Sequence, residues 1–144
     1  MIQKATVHDA AAAAELALLL WPEHTLDELT EELAEAISDD ENAVFLYLLD
    51  GVAVGFAHCA LRHDYVEGTE TSPVGYLEGI YVREAFRRGG IAGALLRACE
   101  AWAKQLGCTE FASDCELHNE QSIFFHEKLG FTEANRIVCF RKEL

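Results

Sequence analysis

Basic residues are scarce in this chain: 11 Lys and Arg stand against 25 Asp and Glu, leaving a net charge of −14. Nucleic acid and anionic membrane surfaces would be repelled, which argues against both as partners. A cationic small substrate would be attracted, although an acidic surface also serves solubility alone. Long apolar runs are absent as well. The stretch "ELALLLWP" carries Glu15 and falls far short of the ~20 residues that span a bilayer. The N-terminus lacks the basic-then-apolar layout of a secretion signal, so a cytoplasmic protein is expected. Cysteines number five, an odd count with no CxxC pair, and suggest neither a disulfide framework nor a zinc site. No metal is expected. Internal repeats, low-complexity tracts and linkers rich in Gly, Pro or Ser are missing too, so residues 1–144 are expected to form one domain. Its hydrophobic share of 51% is enough for a single core.

What is present reads as a mixture of strands and helices. "IQKATV" predicts a strand, and "HDAAAAAELALLLW" a helix capped by Asp9 and ended by Pro22. Thr25 and Glu28 form a capping box for a second helix, with Leu26, Leu29, Leu33 and Ile37 as its apolar stripe. Its other face, with Asp27, Glu28, Glu31, Glu32 and Glu35, is either plainly solvated or a rim that attracts cations. "NAVFLYLLDGVAVGFAHCALR" predicts a hairpin turning at Asp50-Gly51, and "RHDYVEGTETSPV" a polar loop. "GYLEGIYV" reads as a strand whose internal glycine suggests a bulge or a close backbone approach. A strand "EFASDC", a helix from about Asn119 to Leu129 and a closing strand "TEANRIVCFRKE" follow later. Strands and helices do not strictly alternate, which points to a central mixed sheet flanked by helices, α/β in the loose sense.

Within "REAFRRGGIAGALLRACEAW", two arginines and two glycines stand directly before a long helical run. The first amides of a helix lack internal partners and lie at the positive end of its dipole. Glycines let an anion approach that backbone closely, which suits phosphate. The stretch is no P-loop, because no Lys-Ser or Lys-Thr follows, and it does not match the dinucleotide fingerprint G-x-G-x-x-G. Taken alone, it also fits a glycine-rich turn with arginines as solvated flank.

Arg87-Arg88-Gly89-Gly90-Ile91-Ala92 fits the pattern [QR]-x-x-G-x-[GA], and "NEQSIFFHEKLGF" lies downstream near the pattern N-x-x-A-x-x-x-Y-E-K-L-G-F. In that order, with a strand before them, they resemble the GCN5-related N-acetyltransferases (GNAT) along the whole chain. "LWPEH", "DGVAVGFAHCALRHDYVEGTETSPVGYLEGIYV", "GCTEFASD" and "FRK" together look like the short-chain aminoglycoside 6′-N-acetyltransferases. The resemblance implies a GNAT fold: a mixed, mostly antiparallel sheet splayed between two parallel strands, holding Leu77–Val82 and Phe111–Asp114, with about four flanking helices. It implies an acetyl-CoA-dependent N-acetyltransferase that modifies the 6′-amine of an aminoglycoside, confers antibiotic resistance and pairs as a homodimer. The pantetheine arm of acetyl-CoA would lie in the splay, paired through the Val82 backbone, with the Ile80 amide facing the thioester carbonyl. Amides of Arg88, Gly89, Gly90, Ile91, Ala92 and Gly93 would hold the pyrophosphate, with the side chains of Arg87 and Arg88 adding charge. Asn119 matches a position that contacts the arm. His126 stands where most of the superfamily places a tyrosine that donates a proton to the departing sulfur.

The implied chemistry is attack of an amine on a thioester. A backbone amide aimed at the carbonyl oxygen helps because charge builds there in the transition state. An alkylammonium titrates near 10.4 and is almost wholly protonated at neutral pH, so a carboxylate must hold it and take its proton, directly or through water. Glu78 and Asp114, one on each splayed strand, match site acids of the resembling class. Glu78 lies in an apolar strand, where a carboxylate is costly unless paired, so a structural salt bridge is the competing reading. The resemblance nominates Trp21, His24 and Tyr65 for holding a polycationic sugar, a task that suits aromatics beside carboxylates. A thiol leaving group near 8.5 also tolerates departure with no acid. Asn135 stands where the resembling class can carry an acidic substrate contact. Cys115, beside Asp114, lacks a defined partner base and is not expected to act as a nucleophile. Two alternatives stay open: the same fold acting on another small amine, polyamine or peptide, and an acyl-CoA-binding module without turnover.

Overall fold

Strand β1 (Ile2–Lys4) is short because Thr6 turns the chain into a 3-10 turn over Val7–Asp9. Helix α1 (Ala10–Leu20) follows directly. The computed structural model describes residues 1–144. Asp9 precedes α1 but does not cap it by its side chain. The turn holds Asp9 in a helical conformation, so its carboxylate faces back and accepts from the Thr6 amide at 2.8 Å and the Thr6 hydroxyl at 3.0 Å. Helix α2 (Leu26–Ser38) opens with the expected box: the Glu28 amide donates to Thr25 Oγ1 at 3.2 Å, and the Thr25 amide to Glu28 Oε2 at 3.5 Å. Its acidic face is exposed, while Leu29 and Leu33 are buried.

Strands β2 (Asn42–Leu49) and β3 (Val52–Arg62) form the hairpin. Asp50 and Gly51 both take positive φ, 50° and 79°, the backbone that a tight two-residue turn requires. Strand β4 (Val74–Val82) continues the antiparallel sheet, and β5 (Phe111–Ala112) closes it in parallel, giving the order β1-β2-β3-β4-β5. Helix α3 (Ile91–Gln105) crosses between β4 and β5. Its Leu95, Leu96 and Cys99 bury against Val54, Ala57 and Leu77 on one sheet face. Leu16 of α1 and Leu29 and Leu33 of α2 bury against Val44, Leu46 and Phe56 on the other. Phe56 is fully buried in that second layer, so truncating it to Ala would cost about 3–5 kcal/mol. Helix α4 (Glu120–Lys128) is capped by Asn119, whose Oδ1 accepts from the Ser122 amide at 3.1 Å.

Two strand expectations fail at the far edge. "EFASDC" shrinks to Phe111–Ala112, because β4 and β5 pair only at Gly75–Phe111 and Tyr76–Ala112 and then diverge. The expected closing strand over "TEANRIVCFRKE" does not form. Residues 132–144 are exposed and make no backbone hydrogen bond to the rest of the chain. An alternating pattern stabilises a strand only beside a neighbour that can pair with it, and this chain offers no such neighbour beyond β5.

Candidate active site

The divergence of β4 from β5 leaves Leu77–Val82 with β3 as its only sheet neighbour. Ile80 and Val82 therefore present a free backbone edge to the gap. Past the end of β4, a 3-10 turn (Glu84–Phe86) swings the chain into Arg87–Gly90 and the start of α3. Arg88 and Gly90 take φ of 71° and 81°. For Arg88 that left-handed backbone is uncommon, and it turns successive amides toward one point. None of the amides from Arg88 through Gly93 donates to a backbone or side-chain acceptor of the chain. A Cβ on Gly90 would meet nothing within 4 Å, so the glycine answers to its backbone angle and the face above it is open. This cradle of free amides at a helix N-terminus fits a pyrophosphate.

The two arginines do different jobs. Arg87 Nε donates to the Val82 carbonyl at 2.8 Å, and its guanidinium lies 5.2 Å from the centre of the Tyr81 ring. It braces the turn against the end of β4, and the Val82 carbonyl already accepts from it. Arg88 is exposed and makes no ion pair with the rest of the chain.

Glu78 sits on a bulge. His58 faces Gly79 and Cys59 faces Leu77, so Glu78 is the extra residue of β4, re-aimed by the local kink. Gly79 beside it permits a close approach: a Cβ there would stand 2.5 Å from Trp21 Cη2. Trp21 thereby lies over the α1 face of β4, its ring edge-on to Phe56 at 6.3 Å. The His24 amide donates to the Trp21 carbonyl at 3.2 Å, and the His24 ring stands between Glu28, 3.4 Å away, and Glu23, 3.7 Å away. Trp21 and His24 thus stand together past the end of α1, with Trp21 against Gly79, the residue after Glu78.

The two acids are linked through residues that the sequence reading did not single out. Arg62 Nε and Nη2 each donate to Glu78 Oε1 at 3.1 Å, and Nη2 to Oε2 at 3.0 Å. The Arg62 guanidinium lies 3.5 Å over the Tyr76 ring, and the Tyr76 hydroxyl donates to Asp114 Oδ2. Glu78, Arg62, Tyr76 and Asp114 therefore form one continuous polar chain across the splay. The Glu78 hydrogen bonds hold the Arg62 guanidinium above its ordinary range, against burial. Burial, with the Asp114 contact behind it, pushes the Tyr76 hydroxyl well up, so it stays a donor. Burial pushes the neighbouring His58 imidazole down despite the pull of Glu78, and its Nε2 pairs with Asn42 Oδ1 at 2.8 Å.

Beyond β5 a cavity of about 750 Å³ separates the sheet edge from α4 and the C-terminal segment. Of the predicted residues it takes Tyr65, Asp114 and His126, but none of the amide cradle, Trp21 or His24. Tyr65 is 75% exposed, and its hydroxyl accepts from the Gly68 amide at 3.3 Å. His126 Nδ1–H donates to the Ser122 carbonyl at 2.7 Å, while Nε2 stands 2.8 Å from Ser113 Oγ. Asn135, which stands where the resembling class can carry an acidic substrate contact, donates from Nδ2 to Glu67 Oε1 at 2.6 Å.

The sequence profile described as "Acetyltransferase (GNAT) family" matches residues 10–131. The chain belongs to the GNAT family of acetyltransferases. It is 49% identical over 144 residues to a protein of Stenotrophomonas maltophilia named aminoglycoside N(6′)-acetyltransferase type 1, covering 99% of this chain and 93% of that one. The structure of AAC(6′)-Iy in complex with the bisubstrate analog CoA-S-monomethyl-acetylneamine superposes with a TM-score of 0.95 at 38% identity, over 100% of this chain and 98% of that one. The apo aminoglycoside 6′-N-acetyltransferase AAC(6′)-IG of Acinetobacter haemolyticus gives a TM-score of 0.95 at 40% identity, over 100% and 99%. The splayed sheet is therefore that of a GNAT acetyltransferase.

Proposed function

We propose that this protein transfers an acetyl group from acetyl-CoA to the 6′-amine of an aminoglycoside and so confers resistance to it. The observation that carries the reading is the pairing of an amide cradle with two carboxylates at the splay, in a chain 49% identical to a named aminoglycoside N(6′)-acetyltransferase. Acetyl-CoA supplies the activated thioester. Amides of Arg88 to Gly93 and the Arg88 side chain bind its diphosphate, while Arg87 holds the turn. The free edge of β4 at Ile80 and Val82 pairs with the pantetheine arm, and the Ile80 amide donates to the thioester carbonyl, where charge builds. Asn119 contacts the arm from the head of α4.

Glu78 and Asp114 hold the cationic acceptor, and Glu78 takes the amine's proton, directly or through water. Trp21 and Tyr65 offer ring faces to the ammonium groups, and His24, between Glu23 and Glu28, lends a hydrogen bond. The net charge of −14 favours a polycation over an anion as it approaches.

The protein acts in the cytoplasm as a homodimer. Its five free thiols suit a reducing compartment. The pairing rests on the C-terminal segment: Ile137, Val138 and Phe140 are 61%, 76% and 92% exposed in a segment that finds no partner strand of its own. A second copy of the chain offers the same open edge beside β5. Light scattering on the purified protein should give twice the chain mass; a monomer at micromolar concentration refutes the pairing.

A thiol-release assay with acetyl-CoA tests the substrate. Aminoglycosides with a 6′-amine should be turned over, and their 6′-hydroxy counterparts should not. Equal rates with both, or turnover of a polyamine alone, would overturn the substrate.

A further inference from the structure

The gap between β4 and β5 opens at a side chain with a definite hydrogen-bond geometry. Ser113 is the first residue beyond β5, next to the last paired position, Ala112, and its Oγ lies 3.5 Å from the Leu77 carbonyl across the apex. The same Oγ stands 2.8 Å from His126 Nε2. The other ring nitrogen is already committed: a carbonyl oxygen can only accept, so the 2.7 Å contact to Ser122 O fixes the proton on Nδ1. In neutral His126, Nε2 is therefore bare and accepts the Ser113 hydroxyl. The ring is held edge-on by Phe125 and Phe131, at 5.7 and 5.2 Å between centres. A hydroxyl, an imidazole and a carbonyl thus stand in line, with the hydroxyl nearest the gap.

We propose that Ser113 is the catalytic residue that protonates the departing thiolate, and that His126 is the positioning residue that reloads it. This rests on the acetyl-transfer reading above. Before the reaction His126 carries protons on both nitrogens, Nδ1–H on Ser122 O and Nε2–H on Ser113 Oγ, which turns the Ser113 proton away from the ring toward the Leu77 carbonyl, a long 3.5 Å contact that it gives up to the sulfur. The amine nitrogen's lone pair forms the C–N bond, and the C–S bond breaks with its electron pair on sulfur. The Ser113 hydroxyl proton passes to sulfur, and the Nε2 proton passes to Ser113 Oγ. The ring ends neutral, with Nδ1–H still on the Ser122 carbonyl and Nε2 again accepting from Ser113 Oγ, contacts that the 2.7 and 2.8 Å distances fit. The amine's surplus proton leaves through Glu78 to water, and water reloads Nε2 from the cavity that Ser113 and His126 both line. Serine has no need to form an acyl-enzyme, and no acetyl group resides on it.

The leaving group gives the test. Ser113→Ala, Ser113→Thr and His126→Gln are compared with the wild type for thiol release, once with acetyl-CoA and once with acetyl 4-nitrothiophenol, whose aryl thiolate departs without an acid. With acetyl-CoA, Ser113→Ala and His126→Gln should lose about 10- to 100-fold in kcat, while Ser113→Thr, which keeps a hydroxyl, stays within about 5-fold. With the aryl donor, all should stay within about 2-fold of the wild type, because thiolate acidity replaces the donor's help. Melting temperatures and acetyl-CoA affinity by calorimetry should match the wild type. Equal losses with both donors would mean that the pair only ties β5 to α4 and would overturn the proposal. So would full activity of Ser113→Ala on acetyl-CoA, or an acetylated Ser113 peptide after acid quench. The relay lies on the donor side, so it is read with whichever amine the wild type acetylates. Turnover of polyamines but not aminoglycosides refutes the substrate and leaves the relay measurable; thiol release with neither amine refutes both.

Discussion

Glu78→Gln and Arg62→Met break the same ion pair, yet only one of them removes a proton acceptor. The bidentate contact holds its charges 3.0 Å apart, with Arg62 42% and Glu78 26% accessible at the side chain. Such charges attract by about 1–6 kcal/mol between fully wet and partly screened conditions, before side-chain ordering and solvent are subtracted. With Arg62 open to water, about 1 kcal/mol net remains. Either variant should therefore lower the melting temperature by about 4 °C, similarly for both. Activity should separate them. Removing a general base costs about 10²- to 10⁴-fold in kcat, roughly 3–5 kcal/mol, several times what the pair contributes to stability. Arg62→Met keeps the carboxylate and an apolar stem over Tyr76, so it should stay within about 10-fold of the wild type. Thiol release from acetyl-CoA at saturating aminoglycoside reads the rates, and thermal melts read the stabilities. Equal activity losses in the two variants, or a fully active Glu78→Gln, would make Glu78 a structural ion-pair partner and refute its role as base.

Gly90→Ala forces a Cβ onto a backbone at φ 81°, where the side is open but the conformation costs about 1–2 kcal/mol. The KM for acetyl-CoA should rise about 10-fold with kcat little changed, as read by steady-state kinetics. Gly79→Ala would place a methyl 2.5 Å from Trp21 Cη2, so the indole must shift. Overpacking of that kind should destabilise by about 1–3 kcal/mol in urea melts and weaken aminoglycoside binding more than acetyl-CoA binding. Burial holds the His58 imidazole below 6.5, so the unfolded chain binds the extra proton first as the pH falls. That stability is complete above about 6.5 and is lost as the pH drops toward the lowered native value. Melts of His58→Asn should show a shallower stability loss between pH 7 and 5 than the wild type, and parallel curves would contradict it.

Local chemistry made much of this molecule legible. The Asp50-Gly51 turn, the Thr25–Glu28 box and Asn119 at the head of α4 each follow from short-range hydrogen bonding, and each lies where its residues require. The internal glycine of "GYLEGIYV" suggested a bulge or a close approach, and the structure shows both, with Glu78 as the bulge and Trp21 as the neighbour. Long-range pairing was harder to read. Asp9 looked like a cap of α1, but a 3-10 turn aims its carboxylate at Thr6. The pattern of residues 132–143 promised a strand, yet pairing needs a partner edge that sequence periodicity does not supply. Arg62 escaped notice because it lies 16 residues from Glu78, at the end of β3. A charged carboxylate in an apolar strand was the available signal that some cation must cross to it. Ser113 had a weaker signal, its place in "EFASDC" beside Asp114, and only the fold sets it against His126.

Calorimetry with acetyl-CoA and with acetyl-pantetheine, which shares the thioester arm but lacks the diphosphate, tests the amide cradle most directly. Charge-assisted hydrogen bonds contribute about 1.5–3 kcal/mol each, so the loss of even two should weaken binding at least 100-fold. Acetyl-CoA binding in the micromolar range, with acetyl-pantetheine weaker by that factor, is the predicted result. Equal affinities for the two donors would contradict the assignment of Arg88–Gly93 as the site that holds the coenzyme.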